Sequence, residues 1–225
     1  MKKKNHDSMS FKEVIRKNLS FFVPYFILLL ILLPPLILVS KTDILIYINQ
    51  HCKPVLDDLF RYITNLGDGM LALISALLFL LVSFRKSLFI FLTFIGGGLF
   101  VQILKRIFFT EALRPVKLLD GVYDLYLIEG VKMRYYLSFP SGHAATAFGL
   151  FLCFAIIVKS NLIKFICFLL AAMTAFSRIY LSQHFLEDVY FGSLIGVTFA
   201  LFFYRILFSS GKKWLDHHLL YYIKA

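Results

Sequence analysis

The chain has 225 residues, of which 60% are hydrophobic and 17% aromatic, and it carries a formal net charge of +11 at pH 7. A mean hydropathy of +0.79 excludes a water-soluble domain, because a protein of this length has too little interior to bury so much apolar surface. The apolar residues form continuous runs without two-residue alternation, which favours transmembrane helices over a β-barrel.

Six apolar runs approach the roughly 20 residues of helix that cross a hydrocarbon core. In chain order they are Phe21–Val39, Gly69–Phe84, Leu88–Phe108, Ala144–Val158, Leu162–Leu181 and Val189–Phe208. The first run is too long for the core of a signal peptide, so we expect a retained helix there. We therefore predict an all-α fold: a six-transmembrane-helix bundle forming one domain over residues 1–225, with cytoplasmic tails at 1–20 and 209–225.

The basic residues are distributed unevenly between the predicted connections. With six spans and the N-terminus inside, the cytoplasmic parts contain 14 basic and three acidic residues, while ten of each lie outside. Cytoplasmic segments of membrane proteins are enriched in Lys and Arg. We therefore expect both termini to be cytoplasmic in a cell (inner) membrane, and no nucleic-acid partner is needed to explain the net charge.

Unusual polar residues then collect at the outer face. The outer connection Lys105–Gly142 is long, and the fifth and sixth predicted spans meet on the same side around Ser177–Asp188. Ionisable groups at membrane depth are costly and indicate function. Each motif taken alone also fits a turn, a helix cap or a structural ion pair, but their convergence on one face favours a functional site.

Two histidines in these segments suit acid–base and nucleophilic chemistry. His184 and Asp188 are four residues apart, so on a helix they share a face, and the carboxylate can fix the tautomer of an attacking imidazole. His143 follows a Ser-Gly turn at a predicted helix start, where free backbone amides of Ser141, Gly142 and His143 can bind an anion. A histidine titrates near neutrality and can protonate a leaving oxygen.

Three cations complete the pattern. Arg114 and Arg178 offer planar guanidinium groups that match phosphate oxygens, and Lys105 adds a point charge. Such a set suits phosphoryl transfer, in which positioning and charge neutralisation supply most of the catalysis. The sequence offers no carboxylate cluster typical of a divalent-metal site, so we predict metal-independent chemistry with no cofactor.

These residues resemble the signatures of the type 2 phosphatidic acid phosphatase family, which also includes vanadium haloperoxidases and glucose-6-phosphatase-like enzymes. The family pattern is a lysine followed by Arg-Pro, then Pro-Ser-Gly-His, then Ser-Arg with five residues to His and three more to Asp. The second signature is intact as Pro140–His143. The third is intact as Ser177-Arg178, His184 and Asp188.

The first signature departs from the family pattern. Eight residues separate Lys105 from Arg114, where the family usually has six, and Ile107 stands at the usual lysine position. Either the connection absorbs two extra residues and Lys105 still reaches the phosphate, or Arg106 replaces it. Lys105 is the preferred candidate.

The resemblance implies a role for each matching residue. His184 would attack phosphorus and form a phosphohistidine, Asp188 would orient it, and His143 would protonate the leaving group. The phosphate oxygens would be bound by Lys105, Arg114, Ser141, Gly142 and Arg178.

The expected function is therefore phosphate removal from a membrane lipid at the extracytoplasmic, periplasmic side. Candidate substrates are undecaprenyl diphosphate, lipid A, phosphatidic acid and phosphatidylglycerophosphate. A lipid phosphotransferase with the same phosphohistidine, a vanadate-binding haloperoxidase and a non-enzymatic lipid-anion transporter are the alternatives. The sequence does not indicate an oligomeric state.

Overall fold

The computed structural model describes residues 10–223, and within that range the protein is helical, with no strand. The α-helices are α1 Phe11–Lys17, α2 Leu19–Leu38, α3 Lys41–Gln50, α4 Pro54–Ile63, α5 Met70–Phe79, α6 Phe84–Ile103, α7 Pro115–Leu118, α8 Gly142–Ile157, α9 Asn161–Tyr180, α10 Leu186–Phe208 and α11 Leu219–Ile223. A π-helical turn, Leu104–Phe108, extends α6, and 3-10 turns lie at Thr64–Gly67 and Lys213–Asp216. The predicted all-α class is confirmed for this part of the chain.

Four helices of the described chain are long and apolar enough to cross a membrane: α2, α6 with its π turn, α9 and α10. A fifth span results if Pro54–Gly67 and α5, which meet at 51°, are one broken span. Helix α8 is apolar but has only 16 residues. The structure thus describes a multi-pass membrane protein, and the count of six spans stays a prediction.

The second predicted span, Gly69–Phe84, has the wrong C-terminal boundary. Helix α5 ends at Phe79 and Phe84 already begins α6, because Ser83 has an extended backbone and donates its hydroxyl to the Leu215 carbonyl. The stretch before this span, for which no element was predicted, forms α3 and α4. Helix α3 has only five consecutive apolar residues, Ile44–Ile48, and α4 interrupts its apolar positions with charged residues, so neither contains an apolar run long enough to predict a span.

Helix α8, which contains His143, and helix α10, which begins just after His184, pack backbone to backbone. A Cβ atom at Gly192 in α10 would lie 2.5 Å from the Ser141 carbonyl oxygen, and one at Gly196 would collide with the Ala145 carbonyl and the Gly149 amide. Small residues spaced by four allow this close approach of membrane helices. The contact fixes the position of the start of α10 against the start of α8.

The structure describes part of each predicted cytoplasmic tail. Residues 1–9 and 224–225 of these tails lie outside the described range. Ser10 caps α1, and at the other end of the chain Arg85 pairs with Asp216 at 2.6 Å and donates to the Ser210 and Lys212 carbonyls. These bonds attach the C-terminal segment to the start of α6.

Candidate active site

The predicted nucleophile and its carboxylate are in contact and almost completely buried. His184 Nδ1 lies 3.1 Å from Asp188 Oδ2, and both side chains are about 1% exposed. The same oxygen accepts hydrogen bonds from Ser138 Oγ at 2.5 Å and from the Phe185 amide at 3.0 Å. Three donors therefore orient one carboxylate oxygen toward the imidazole.

The geometric reason given for this pair needs correction. His184 does not share a helix face with Asp188, because it precedes α10, whose N-cap is Phe185. Asp188 is in the first turn of α10, and its side chain turns back to the N-cap amide, as acidic residues at this position commonly do. His184 and Asp188 are therefore brought into contact by the capping geometry at the start of α10.

The imidazole of His184 is held at the end of a tight turn. The amides of Gln183 and His184 both donate to the Arg178 carbonyl, at 2.9 and 3.1 Å, and Ser182 has a positive φ of 52°. Burial lowers the pKa of His184 well below its ordinary value, and the charges of Arg114 and Lys105 act in the same direction. A neutral imidazole that binds a carboxylate through Nδ1 has Nε2 available for attack.

His143 begins α8 directly after the Pro-Ser-Gly turn. Ser141 is the N-cap, and its hydroxyl accepts from the Ala144 amide at 3.4 Å. The expectation that the Ser141 amide is free for an anion is wrong, because this amide donates to the Asp188 carbonyl oxygen at 2.8 Å. Ser141 thus ties the turn to α10, whereas Gly142 and His143 line the adjacent cavity.

Arg114 is buried and lies near the start of the outer connection. Its Nε donates to the Tyr136 carbonyl and its Nη1 to the Gln183 carbonyl, both at 3.0 Å. Burial lowers the pKa of this guanidinium to about 10, with the charge of Arg134 adding to the effect. Arg114 therefore remains a cation at neutral pH and is held by backbone oxygens of two segments.

The structure places the two candidates for the first signature differently. Lys105 is buried, lines the cavity and donates to the carbonyls of Leu137 and Ser138 at 2.6 and 3.2 Å. Arg106 is exposed, outside the cavity, and donates to Gln102 at 3.4 Å. Lys105 lies in the π-helical turn, and a π turn accommodates an extra residue in a helix. This turn accounts for part of the longer spacing.

Arg178 comes from the last turn of α9. Its Nη1 donates to Thr64 Oγ1 at 2.6 Å, and its Nη2 lies 3.5 Å from Gln183 Oε1. Its Nε is buried and has no hydrogen-bond partner among the described residues. A buried guanidinium N–H without a partner is costly, and the Arg178 residue lines the cavity.

These side chains line one cavity of about 580 Å³. The structure brings together residues from all three signatures: Lys105, Arg114, Gly142, His143, Arg178 and His184. Asp188 and Ser141 lie behind them, in contact with His184 and α10 respectively. A cavity with three buried cations around two histidines can bind a tetrahedral anion and hold it against a nucleophile.

Among the cavity residues that sequence reasoning missed, three act on the histidines or on Arg178. Arg134, in the outer connection, is exposed and acts electrostatically on both histidines. Thr64 and Asp68 come from the break between α4 and α5, and Asp68 faces His143. The only local signal was Gly67-Asp68-Gly69 beside an apolar run, which is typical of an ordinary turn.

The sequence profile of the PAP2 superfamily matches residues 86–212, more than half of the chain. A lipid A 4'-phosphatase of Porphyromonas gingivalis is 24% identical over 184 residues, which cover 80% of this chain and 78% of that protein.

The fold is similar to two solved structures. Aquifex aeolicus LpxE aligns with a TM-score of 0.63 and 28% identity, over 72% of this chain and 92% of that one. A transmembrane PAP2 type phosphatidylglycerolphosphate phosphatase from Bacillus subtilis aligns with a TM-score of 0.62 and 21% identity, over 88% of this chain and 98% of that one. At the latter identity the likeness shows the fold alone.

Proposed function

Because the chain belongs to the PAP2 superfamily and is a membrane lipid phosphatase of that type, we propose that it hydrolyses a lipid phosphate through a phosphohistidine at His184. The observation that carries this proposal is the buried contact between His184 Nδ1 and Asp188, next to a cavity lined by buried cations. Nucleophilic catalysis needs an activated group fixed within reach of its target. The site supplies such a group.

In the first step, the lone pair on His184 Nε2 attacks phosphorus. Asp188 stabilises the positive charge that develops on the imidazole, while Lys105, Arg114 and Arg178 neutralise the phosphate oxygens. The bond from phosphorus to the lipid oxygen breaks, and His143 transfers its proton to that oxygen. The leaving lipid then departs, as an alcohol from a phosphate monoester or as a lipid monophosphate from a diphosphate.

In the second step, water attacks the phosphorus of the phosphohistidine. His143, now neutral, accepts a proton from this water, as microscopic reversibility of acid–base catalysis requires. The bond from phosphorus to His184 breaks, inorganic phosphate departs, and both histidines return to their starting states. We propose no metal step, because the three cations and the Gly142 turn provide the positive groups that the reaction needs.

Lipid A is the first substrate to test, followed by undecaprenyl diphosphate, phosphatidic acid and phosphatidylglycerophosphate. The similarity to a lipid A 4'-phosphatase over 80% of the chain supports this order. We expect phosphate release from at least one of these lipids by the purified protein in detergent, unchanged by a chelator. Release that disappears with the chelator and returns with a divalent ion would contradict the metal-independent mechanism.

The site is proposed to face the extracytoplasmic side. Arg85 and Lys164, which belong to the predicted cytoplasmic set, lie at the opposite ends of α6 and α9 from Lys105 and Arg178. In a Cys52→Ser background, we expect a membrane-impermeant maleimide to label Asp120→Cys in intact cells, and Lys86→Cys only after lysis. The reverse labelling pattern would invert the topology.

A further inference from the structure

The break between α4 and α5 is packed tightly against the start of α8. A Cβ atom at Gly67 would lie 2.8 Å from the His143 carbonyl oxygen and 3.0 Å from Thr174 Cγ2. Gly69 has a φ of +86°, a left-handed conformation that glycine adopts without strain. Two glycines therefore allow the chain to turn here at backbone contact with His143, and the residue between them is Asp68.

The Asp68 carboxylate faces the His143 imidazole across this contact. Asp68 Oδ1 lies 3.9 Å from His143 Nε2. That separation is within ion-pair distance but too long for a direct hydrogen bond, and either a bridging water or a small rotation closes it. Catalytic hydrogen bonds are often long without substrate and shorten in the complex.

Burial is the largest effect that disfavours protonation of His143, and the other charged or titratable groups that act on this residue add to it. They are Arg178 from α9, His184 from the turn before α10, and Arg134 and Arg114 from the outer connection. A general acid must nevertheless carry its proton when the lipid oxygen leaves. Within the described chain, Asp68 is the acidic residue whose carboxylate lies within ion-pair distance of His143, and its negative charge favours the imidazolium.

We propose that Asp68 is a positioning residue that favours the protonated form of His143 and orients it as the general acid of the proposed reaction. An imidazolium has two N–H groups, so one can face Asp68 while the other donates to the leaving oxygen. The proton that reaches the lipid comes from His143, and Asp68 remains ionised throughout. This inference rests on the proposed function. The test is designed so that a failure of the Asp68 role can be distinguished from a failure of the proposed phosphatase activity.

The test is the pH profile of kcat/KM for lipid phosphate hydrolysis by the wild type, Asp68→Asn, Asp68→Glu and the control Asp120→Asn. Asp120 is an exposed acidic residue of the outer connection that pairs with Lys117. In Asp68→Asn, we expect the alkaline limb to move to lower pH by about one unit, a roughly tenfold loss at alkaline pH, because an opposite charge at this distance favours the charged form by that order. Asp68→Glu should restore most of the shift, and Asp120→Asn should retain the wild-type profile.

The outcomes separate the two claims. An alkaline limb in Asp68→Asn that coincides with the wild type, or an equal loss of rate at every pH, would overturn the role of Asp68 while the phosphatase proposal stands. A wild-type protein that releases no phosphate from any lipid of the panel would instead remove the proposed function. Thermal unfolding in detergent checks that Asp68→Asn remains folded, as we expect for an exposed side chain.

Discussion

Replacing Asp188 with asparagine separates the charge of this residue from its hydrogen bonds. An amide oxygen at the position of Oδ2 can still accept from Ser138, the Phe185 amide and His184, so the local fold should persist. What is lost is a negative charge 3.1 Å from an imidazole that becomes positive during attack. The defect should therefore appear in the rate of the chemical step.

The size of that defect follows from the distance. Two unit charges 3.1 Å apart interact by roughly 5 kcal/mol at an effective dielectric constant of about 20. Because the charge on the imidazole is only partly developed in the transition state and the amide dipole replaces some of the stabilisation, we expect a loss of about 3 to 5 kcal/mol. This range corresponds to a kcat lower by roughly 10² to 10⁴-fold.

The assay is single-turnover phosphate release in detergent, with thermal unfolding measured on the same samples. Asp188→Ala is the matched comparison: it leaves three donors without their acceptor, each at a cost of about 1 to 3 kcal/mol. We expect Asp188→Asn to lose rate with little loss of unfolding temperature, and Asp188→Ala to lose both. Wild-type kcat in Asp188→Asn would refute the orienting role of the carboxylate.

Four further outcomes are expected. His184→Ala should release no phosphate and form no acid-labile phosphoprotein while remaining folded in detergent; full activity would rule it out as the nucleophile. Arg134→Ala should lower kcat/KM by roughly tenfold, about the value of one charge-assisted hydrogen bond, and Lys117→Ala should not. The pKa of His184 is lowered in the folded protein, where the imidazole is neutral. Below about pH 6.5 the unfolded state therefore binds more protons than the folded state. The unfolding temperature should accordingly fall on acidification, and it should fall less in His184→Ala. Gly196→Leu should lower the unfolding temperature through overpacking of about 1 to 3 kcal/mol, whereas Gly211→Ala, with open space around it, should not.

The membrane class and the members of the site could be predicted because both depend on local patterns. Apolar runs mark helices whatever their packing, and the signatures occupy short windows around His143 and His184. The spacing of His184 and Asp188 correctly indicated contact, although by way of a helix cap that a helical-face argument does not consider. Lys105 was preferred over Arg106 as the lysine of the first signature, and the structure places it in the cavity.

The rest of the site depends on tertiary packing that no local pattern encodes. Thr64 and Asp68 reach the cavity only because the chain breaks at Gly67 and Gly69 and packs against α8. The amide of Ser141 was expected to be free, since a helix start normally exposes its first amides. Its partner, the Asp188 carbonyl, is 47 positions away along the chain and is brought close by the glycine contact of α8 with α10.

The packing divides the site into a fixed part and a variable part. The backbone contact at Gly192 and Gly196 and the bond from the Ser141 amide to the Asp188 carbonyl fix the histidine-bearing segments relative to each other. Arg134 is instead an exposed residue of the outer connection. Exchanges of Arg134 and other exposed residues of that connection can change the head group that is accepted without moving the reacting atoms, whereas Lys105, Arg114 and Ser138 belong to the fixed part. Differences in substrate between relatives should therefore map to the outer connection, while changes in the α8–α10 contact should lower activity toward every lipid alike.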